Sequence, residues 1–205
     1  MTIPNWQLTS LKQPEFLQEV TEAAKLINQI LSLRTTVCSG DELEELLNII
    51  LSKTRAITCS DAGSVYLIDN SDGVPKLIFK VSQNYSLKEA TFRQFAVPLT
   101  ANSLAGYVAL TGESLNLADA YDLPATAPYH LDHSFDVCFS YRTRSVIVMP
   151  MHTQNGDIMG VLQLINRKVK PDVAITPDNV LQVTQPYSPA EEEMLRSLLH
   201  LGSYD

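Results

Sequence analysis

The densest apolar pattern in the chain runs from residue 145 to residue 166. Residues 145–151 are β-branched and apolar, Gln154, Asn155, Gly156 and Asp157 are turn residues, and residues 158–165 are apolar again, a succession that predicts a β-hairpin. Both strands are near-continuous hydrophobic runs, which places the hairpin at the centre of a sheet covered on both faces. Upstream, Phe16, Val20, Ala23, Ile27, Ile30 and Leu31 recur at helical spacing opposite Glu15, Glu19, Glu22 and Lys25, an amphipathic helix over residues 14–33. Asp41-Glu42-Leu43-Glu44 opens a second helix, which the stripe Leu43, Leu46, Leu47, Ile50 and Leu51 carries to about Ala56.

The remaining pattern is shorter. Residues 64–69 and 76–82 read as strands around the turn Asn70-Ser71-Asp72-Gly73, residues 84–94 as a polar loop, and Phe95 to Pro98 as an edge strand, where proline is tolerated. Ser103 caps a short helix that ends at Thr111-Gly112. Residues 116–140, rich in Asp, Tyr and His, read as an irregular lid anchored by Leu117 and Phe135, and residues 167–186 as a long surface excursion. Ser188-Pro189-Ala190-Glu191 combines an N-cap, a proline at the first helical position and a returning glutamate. A terminal helix follows, with Met194, Leu195, Leu198 and Leu199 on one face.

This order of elements predicts an α+β domain on an antiparallel sheet. Residues 1–40 form an N-terminal helical segment and residues 41–205 the domain itself with its C-terminal helix. The two ends carry more apolar helix than one sheet face requires, so a homodimer through the terminal helices is expected, with packing inside one chain as the alternative. A length of 205 residues fits this single domain plus an extra helix. A net charge of -8 with no block of Lys or Arg leaves no footprint for nucleic acid. No apolar run approaches the roughly 18 residues of a membrane span, and no signal peptide opens the chain, so a cytoplasmic protein without membrane contact is expected. Cys38, Cys59 and Cys138 cannot all pair and form no close-spaced metal motif, which suits a reducing compartment.

Five stretches carry a family resemblance: Ser64-Val-Tyr-Leu-Ile-Asp69, Ser103-Leu-Ala-Gly-Tyr-Val-Ala-Leu-Thr-Gly112, Leu117-Ala-Asp-Ala-Tyr121, Tyr141-Arg-Thr-Arg-Ser145 and Gly160-Val-Leu-Gln-Leu-Ile-Asn166. In this order, over roughly residues 41–201, they resemble the signatures of a GAF domain, closest to those that precede cyclic-nucleotide phosphodiesterase, bacterial adenylyl cyclase and HD-GYP phosphohydrolase modules. The resemblance implies a six-stranded antiparallel sheet, with amphipathic N- and C-terminal helices on one face and a ligand-binding lid on the other. It implies a sensor of a small molecule, cAMP or cGMP first, that regulates an attached or associated output domain (HD-GYP, cyclase or similar). Carried over residue by residue, the ligand-binding positions are Ser64, Ala105, Tyr129, Asp136, Thr143 and Gln163. The family's Asn-Lys, Phe, Asp-Glu set corresponds here to Asn166-Arg167, Tyr187 and Glu191-Glu192. Arginine in place of lysine keeps an ion pair with a carboxylate while altering its geometry. Backbone N–H groups at the start of the Ser103 helix offer an anion site, and Ser64, Thr143 and Gln163 can hydrogen-bond a purine or ribose edge. Each of these residues also has a purely structural reading, and only their joint occurrence in family order makes a site.

Other chemistry finds little support in the residues. Asp136-Val137-Cys138-Phe139 matches a motif of bilin-binding GAF photoreceptors, but no Cys-His follows it. His130, Asp132, His133, Asp136 and Cys138 lie close in sequence yet lack the second motif that zinc sites draw on, so they read as hydrated lid surface. Some GAF domains reduce free methionine sulfoxide with clustered cysteines; the corresponding strand here is Val146-Ile-Val-Met149, and no catalysis, metal or fixed cofactor is expected. The competing readings are a dimerisation or protein-interaction module without nucleotide, and a sensor of a different metabolite.

Overall fold

The structure, a computed structural model, describes residues 40–87, 95–153 and 155–200. The helix expected over residues 14–33 lies outside the described residues. The elements in chain order are α1 (Gly40–Thr58), β1 (Ser60–Asp69), β2 (Lys76–Asn84), β3 (Phe95–Pro98), α2 (Leu104–Thr111), β4 (Leu115–Leu117), α3 (Ser134–Phe139), β5 (Val146–His152), β6 (Ile158–Arg167), α4 (Val180–Val183) and α5 (Pro189–His200). The six strands form one antiparallel sheet in the order β3-β2-β1-β6-β5-β4. The central pair is therefore β1 and β6, and the apolar hairpin β5–β6 sits one strand off centre.

Both sheet faces are covered, as its near-continuous apolar strands require. On one face Leu47, Ile50 and Leu51 of α1 and Leu195, Leu198 and Leu199 of α5 pack against Val65, Met149, Leu162 and Leu164 of the sheet. On the other face Leu104, Ala105, Val108 and Ala109 of α2 pack against Leu77, Val146, Val148 and Val161. Each fully buried Leu or Ile contributes about 1.5–3 kcal/mol. Among the described residues no helix is long and apolar enough to cross a membrane.

Helix ends follow local chemistry. Ser103 accepts the Gly106 N–H at 3.0 Å and Gly112 closes α2 in the left-handed region at φ 73°. The reciprocal box at α5 is complete: the Ser188 N–H donates to Glu191 Oε2 at 2.8 Å and the Glu191 N–H to Ser188 Oγ at 3.3 Å. α1 runs to Thr58, slightly past the expected end, and Cys59 with φ 55° then turns the chain into β1.

Two sequence expectations need correction. The stretch 116–140 was expected to hold no core element, but it begins within β4, whose Leu117 pairs with Val146, and ends in α3. A three-residue strand is too short to show alternation. The stretch 167–186 is no mere surface excursion: Lys168, Val180 and Thr184 are buried, and Ile175 and Val180 pack against Tyr141. Its polar residues are buried because they find partners far away in sequence, which composition does not reveal.

Candidate functional site

A cavity of about 1030 Å³ lies between the α2 face of the sheet and the segment 130–143. Its floor is a polar row across three strands. Ser64 on β1 faces Ser82 on β2 and Gln163 on β6, and all three line the cavity. A bulge shapes the wall beside them: Val65 pairs with Val81 but Tyr66 pairs with Phe79, leaving Lys80 as the extra residue. Phe79 and Ser82 therefore both line the cavity while Val81 joins the core on the opposite face. Tyr66 meets Phe79 edge-on at 5.3 Å and Phe79 stacks on Phe95 at 4.7 Å, an aromatic wall suited to a flat ring.

The opposite wall starts at the N-terminus of α2. The first N–H groups of a helix have no intrahelical partner; here the bridge between Ser103 and His130 uses that of Leu104 and Ser103 Oγ takes that of Gly106, so the Ala105 N–H is the one offered as a donor in the cavity wall. Gly106 is required for this approach: an added Cβ would lie 1.9 Å from the Thr100 carbonyl oxygen.

Segment 130–143 is fixed by two buried carboxylates. Asp136 accepts the Thr143 N–H at 2.7 Å, the Thr143 hydroxyl at 2.9 Å and the Tyr121 hydroxyl at 2.8 Å. Burial and this bond to Asp136 push the Tyr121 hydroxyl up to about 12, which keeps it a donor. Arg142 lies over the Tyr121 ring at 4.5 Å and pairs with Asp119 at 2.9 Å. Asp61 accepts the Tyr141 hydroxyl at 2.8 Å and the Ser86 hydroxyl at 2.7 Å, and faces Lys168 Nζ at 3.4 Å. Burial, then Asp61, raises the Tyr141 hydroxyl well above its ordinary range.

Of the positions read from the sequence, Ser64, Ala105, Thr143 and Gln163 come together as cavity lining. Tyr129 and Asp136 stand outside it: the Tyr129 ring packs on Tyr107 at 4.8 Å, and the Asp136 carboxylate is occupied by its three donors. Sequence reasoning missed Ser82, Tyr66, Phe79, Phe95 and Tyr141. Counted from the hairpin turn, the plain register would set Val81 opposite Ser64; only the bulge brings Ser82 there, so no signal in the sequence points to Ser82. Cys138 is an exposed free thiol on α3 and also lines the cavity, as do His130, Asp132 and His133. Among the described residues no group of three or more His, Cys, Asp or Glu is placed to hold a metal ion.

Behind the sheet, Arg167 Nε donates to Glu191 Oε1 at 2.5 Å. Asn166, in the left-handed region at φ 56°, accepts the Arg144 N–H at 2.7 Å and donates to the Arg142 carbonyl at 2.8 Å. Glu192 accepts from Ser114 and Asn116, each at 3.0 Å.

The profile of the GAF domain family matches residues 42–202. The chain belongs to the GAF domain family. It is similar to the dual 3′,5′-cyclic-AMP and -GMP phosphodiesterase 11 of Drosophila melanogaster, 27% identical over 146 residues, which are 67% of this chain and 10% of that protein. A cGMP-specific 3′,5′-cyclic phosphodiesterase of Drosophila virilis is 30% identical over 133 residues, 62% of this chain and 14% of that protein. The chain thus spans only a small part of the curated relatives it matches, 10% and 14% of their lengths. The solved GAF domain of an Acinetobacter phosphoenolpyruvate-protein phosphotransferase superposes with a TM-score of 0.56 at 19% identity, covering 93% of this chain and 92% of that one. This last likeness is one of fold, and the six-stranded GAF sheet flanked by helices agrees with it.

Proposed function

We propose that this GAF domain binds a cyclic nucleotide, cAMP or cGMP, in the cavity, and that occupancy regulates an attached or associated signalling enzyme. One arrangement supports the reading: the polar row Ser82, Ser64 and Gln163 lies between an aromatic wall and a helix N-terminus. Those are the three kinds of partner that a base edge, a flat ring and a phosphate need. The similarity to regions of cyclic-nucleotide phosphodiesterases points the same way.

Signal transfer has a physical route. α2 starts in the cavity wall at Leu104, and just past its C-cap Ser114 and Asn116 are bonded to Glu192 of α5, with Arg196 donating to Ser114 at 2.9 Å. A shift of α2 on binding is handed to the terminal helix. In this reading the domain is a regulator rather than a catalyst, works in the cytosol, and pairs with a second copy through its two end segments.

Calorimetric titration of the purified protein with cAMP and cGMP tests the proposal, with Gln163→Ala beside the wild type. The expected result is one site per chain, weakened by about 1 kcal/mol or more in the variant. Absence of heat with either nucleotide overturns it in favour of a different metabolite or of an interaction module. Light scattering separately tests the dimer.

A further inference from the structure

We infer that Asp136 fixes the direction of the hydrogen bond that Thr143 offers into the cavity, so that the site selects a ligand edge carrying an N–H donor. The inference rests on the cyclic-nucleotide reading above. Asp136 is buried, 4% exposed, and its two oxygens face three donors. The Thr143 N–H and the Tyr121 hydroxyl are both on Oδ2, at 2.7 and 2.8 Å, and the Thr143 hydroxyl is on Oδ1 at 2.9 Å. A carboxylate only accepts, so both hydroxyls give it their protons.

Threonine has one hydroxyl proton. Once that proton is committed to Asp136, Thr143 Oγ1 has only acceptor capacity left. Thr143 is itself buried and lines the cavity. A carbonyl or unprotonated ring nitrogen brought to Oγ1 sets two acceptors against each other, whereas an amino group or ring N–H completes the bond. A buried site built around such a bond rejects the analogue that lacks the partner. Asp136, which does not line the cavity, is on this account a positioning residue. Adenine meets the requirement with its amino group and guanine with its ring N–H and amino group. Purine riboside 3′,5′-cyclic monophosphate, whose base has no N–H, does not.

The test is titration of the full chain with cAMP, cGMP and that donor-less analogue, in the wild type and in Asp136→Asn. In the wild type the tighter of the two natural nucleotides is expected to bind at least tenfold better than the analogue. In Asp136→Asn the amide oxygen must take the place of Oδ2, which faces two donors. The amide NH₂ then faces Thr143 Oγ1, turns the hydroxyl proton toward the cavity, and reduces the ratio to less than threefold or inverts it. Should Asp136→Asn fail to fold, Thr143→Val is expected to erase the ratio while Thr143→Ser retains it. An equal loss for all three ligands in Asp136→Asn with the ratio kept, or a ratio unchanged in Thr143→Val, overturns the inference. No binding of either natural nucleotide to folded wild type removes the underlying reading and this inference with it, a result told apart by the wild type alone.

Discussion

Arg167 at the end of β6 and Glu191 in the first turn of α5 meet at 2.5 Å with only 8% and 13% of their side chains exposed. The other oxygen of Glu191 accepts the Ser188 N–H and hydroxyl at 2.8 and 2.7 Å, so one carboxylate both caps the terminal helix and pins it to the sheet. Glu191→Ala loses the cap and leaves a nearly buried guanidinium without its partner, an expected destabilisation of about 3–5 kcal/mol. Arg167→Lys keeps the charge and is expected to lose less than half as much. Urea unfolding measures both; a loss below about 1 kcal/mol in Glu191→Ala contradicts the assignment.

Asp61 and Lys168 form a second pair, their side chains 0% and 3% exposed. Lys168 Nζ also donates to the Pro171 and Val173 carbonyls and lies over the Tyr85 ring at 3.7 Å, so one ammonium ties the segment after β6 to the start of β1. Asp61→Asn strands that charge and is expected to destabilise by about 3 kcal/mol or more. The double change Asp61→Asn with Lys168→Met is expected to be more stable than Asp61→Asn alone, because the stranded charge is gone. Additive losses in the double variant would show that the pair is not coupled.

Where sequence and structure agree, the signal is local. The edge strand Phe95–Pro98, the Ser103 cap, the Gly112 stop and the Ser188 to Glu191 box are written in adjacent residues and appear as read. Leu77, Phe79 and Val81 alternate perfectly along β2, and by period alone they share a face. The bulge at Lys80 instead places Phe79 in the cavity wall and Val81 in the opposite core. No residue within β2 announces that bulge, since it arises from pairing with β1. Asp136 is read by resemblance as a ligand-binding position, whereas its carboxylate is spent on three bonds to Thr143 and Tyr121, which cross gaps of 7 and 15 residues and belong to the tertiary structure.

Alkaline pH destabilises this domain through its tyrosines. Burial raises Tyr66, Tyr141 and Tyr187 above the ordinary phenol range, and Tyr121 is pushed up to about 12. Because the folded values exceed the unfolded value of about 10, the native state holds these protons more tightly. Their contribution is fully present below about pH 10 and is lost as pH rises through the folded values. Unfolding midpoints from pH 8 to 12 are expected to be level and then fall, with phenolate absorbance rising together with loss of the fold. Tyr121→Phe is expected to flatten the decline between about pH 10 and 12. A stability that rises over this range would reverse the sign and refute the assignment.

Glu192 links the cavity helix to the terminal helix and sits outside the cavity lining, which separates binding from transmission. It accepts from Ser114 and Asn116 just past α2, and Arg196 one turn on pairs with it at 3.0 Å. Removing the carboxylate with Glu192→Ala takes away its bonds to Ser114 and Asn116 and its hold on Arg196, the other α5 donor to Ser114, while leaving Ser64, Gln163 and Thr143 in place. Nucleotide affinity is therefore expected to stay within about twofold, or roughly 0.4 kcal/mol, of wild type. Hydrogen exchange in α5, expected to slow on adding nucleotide to wild type, is expected to lose most of that response in the variant. An unchanged response in Glu192→Ala would mean that the signal reaches α5 through the sheet, by way of Arg167 and Glu191, rather than through α2.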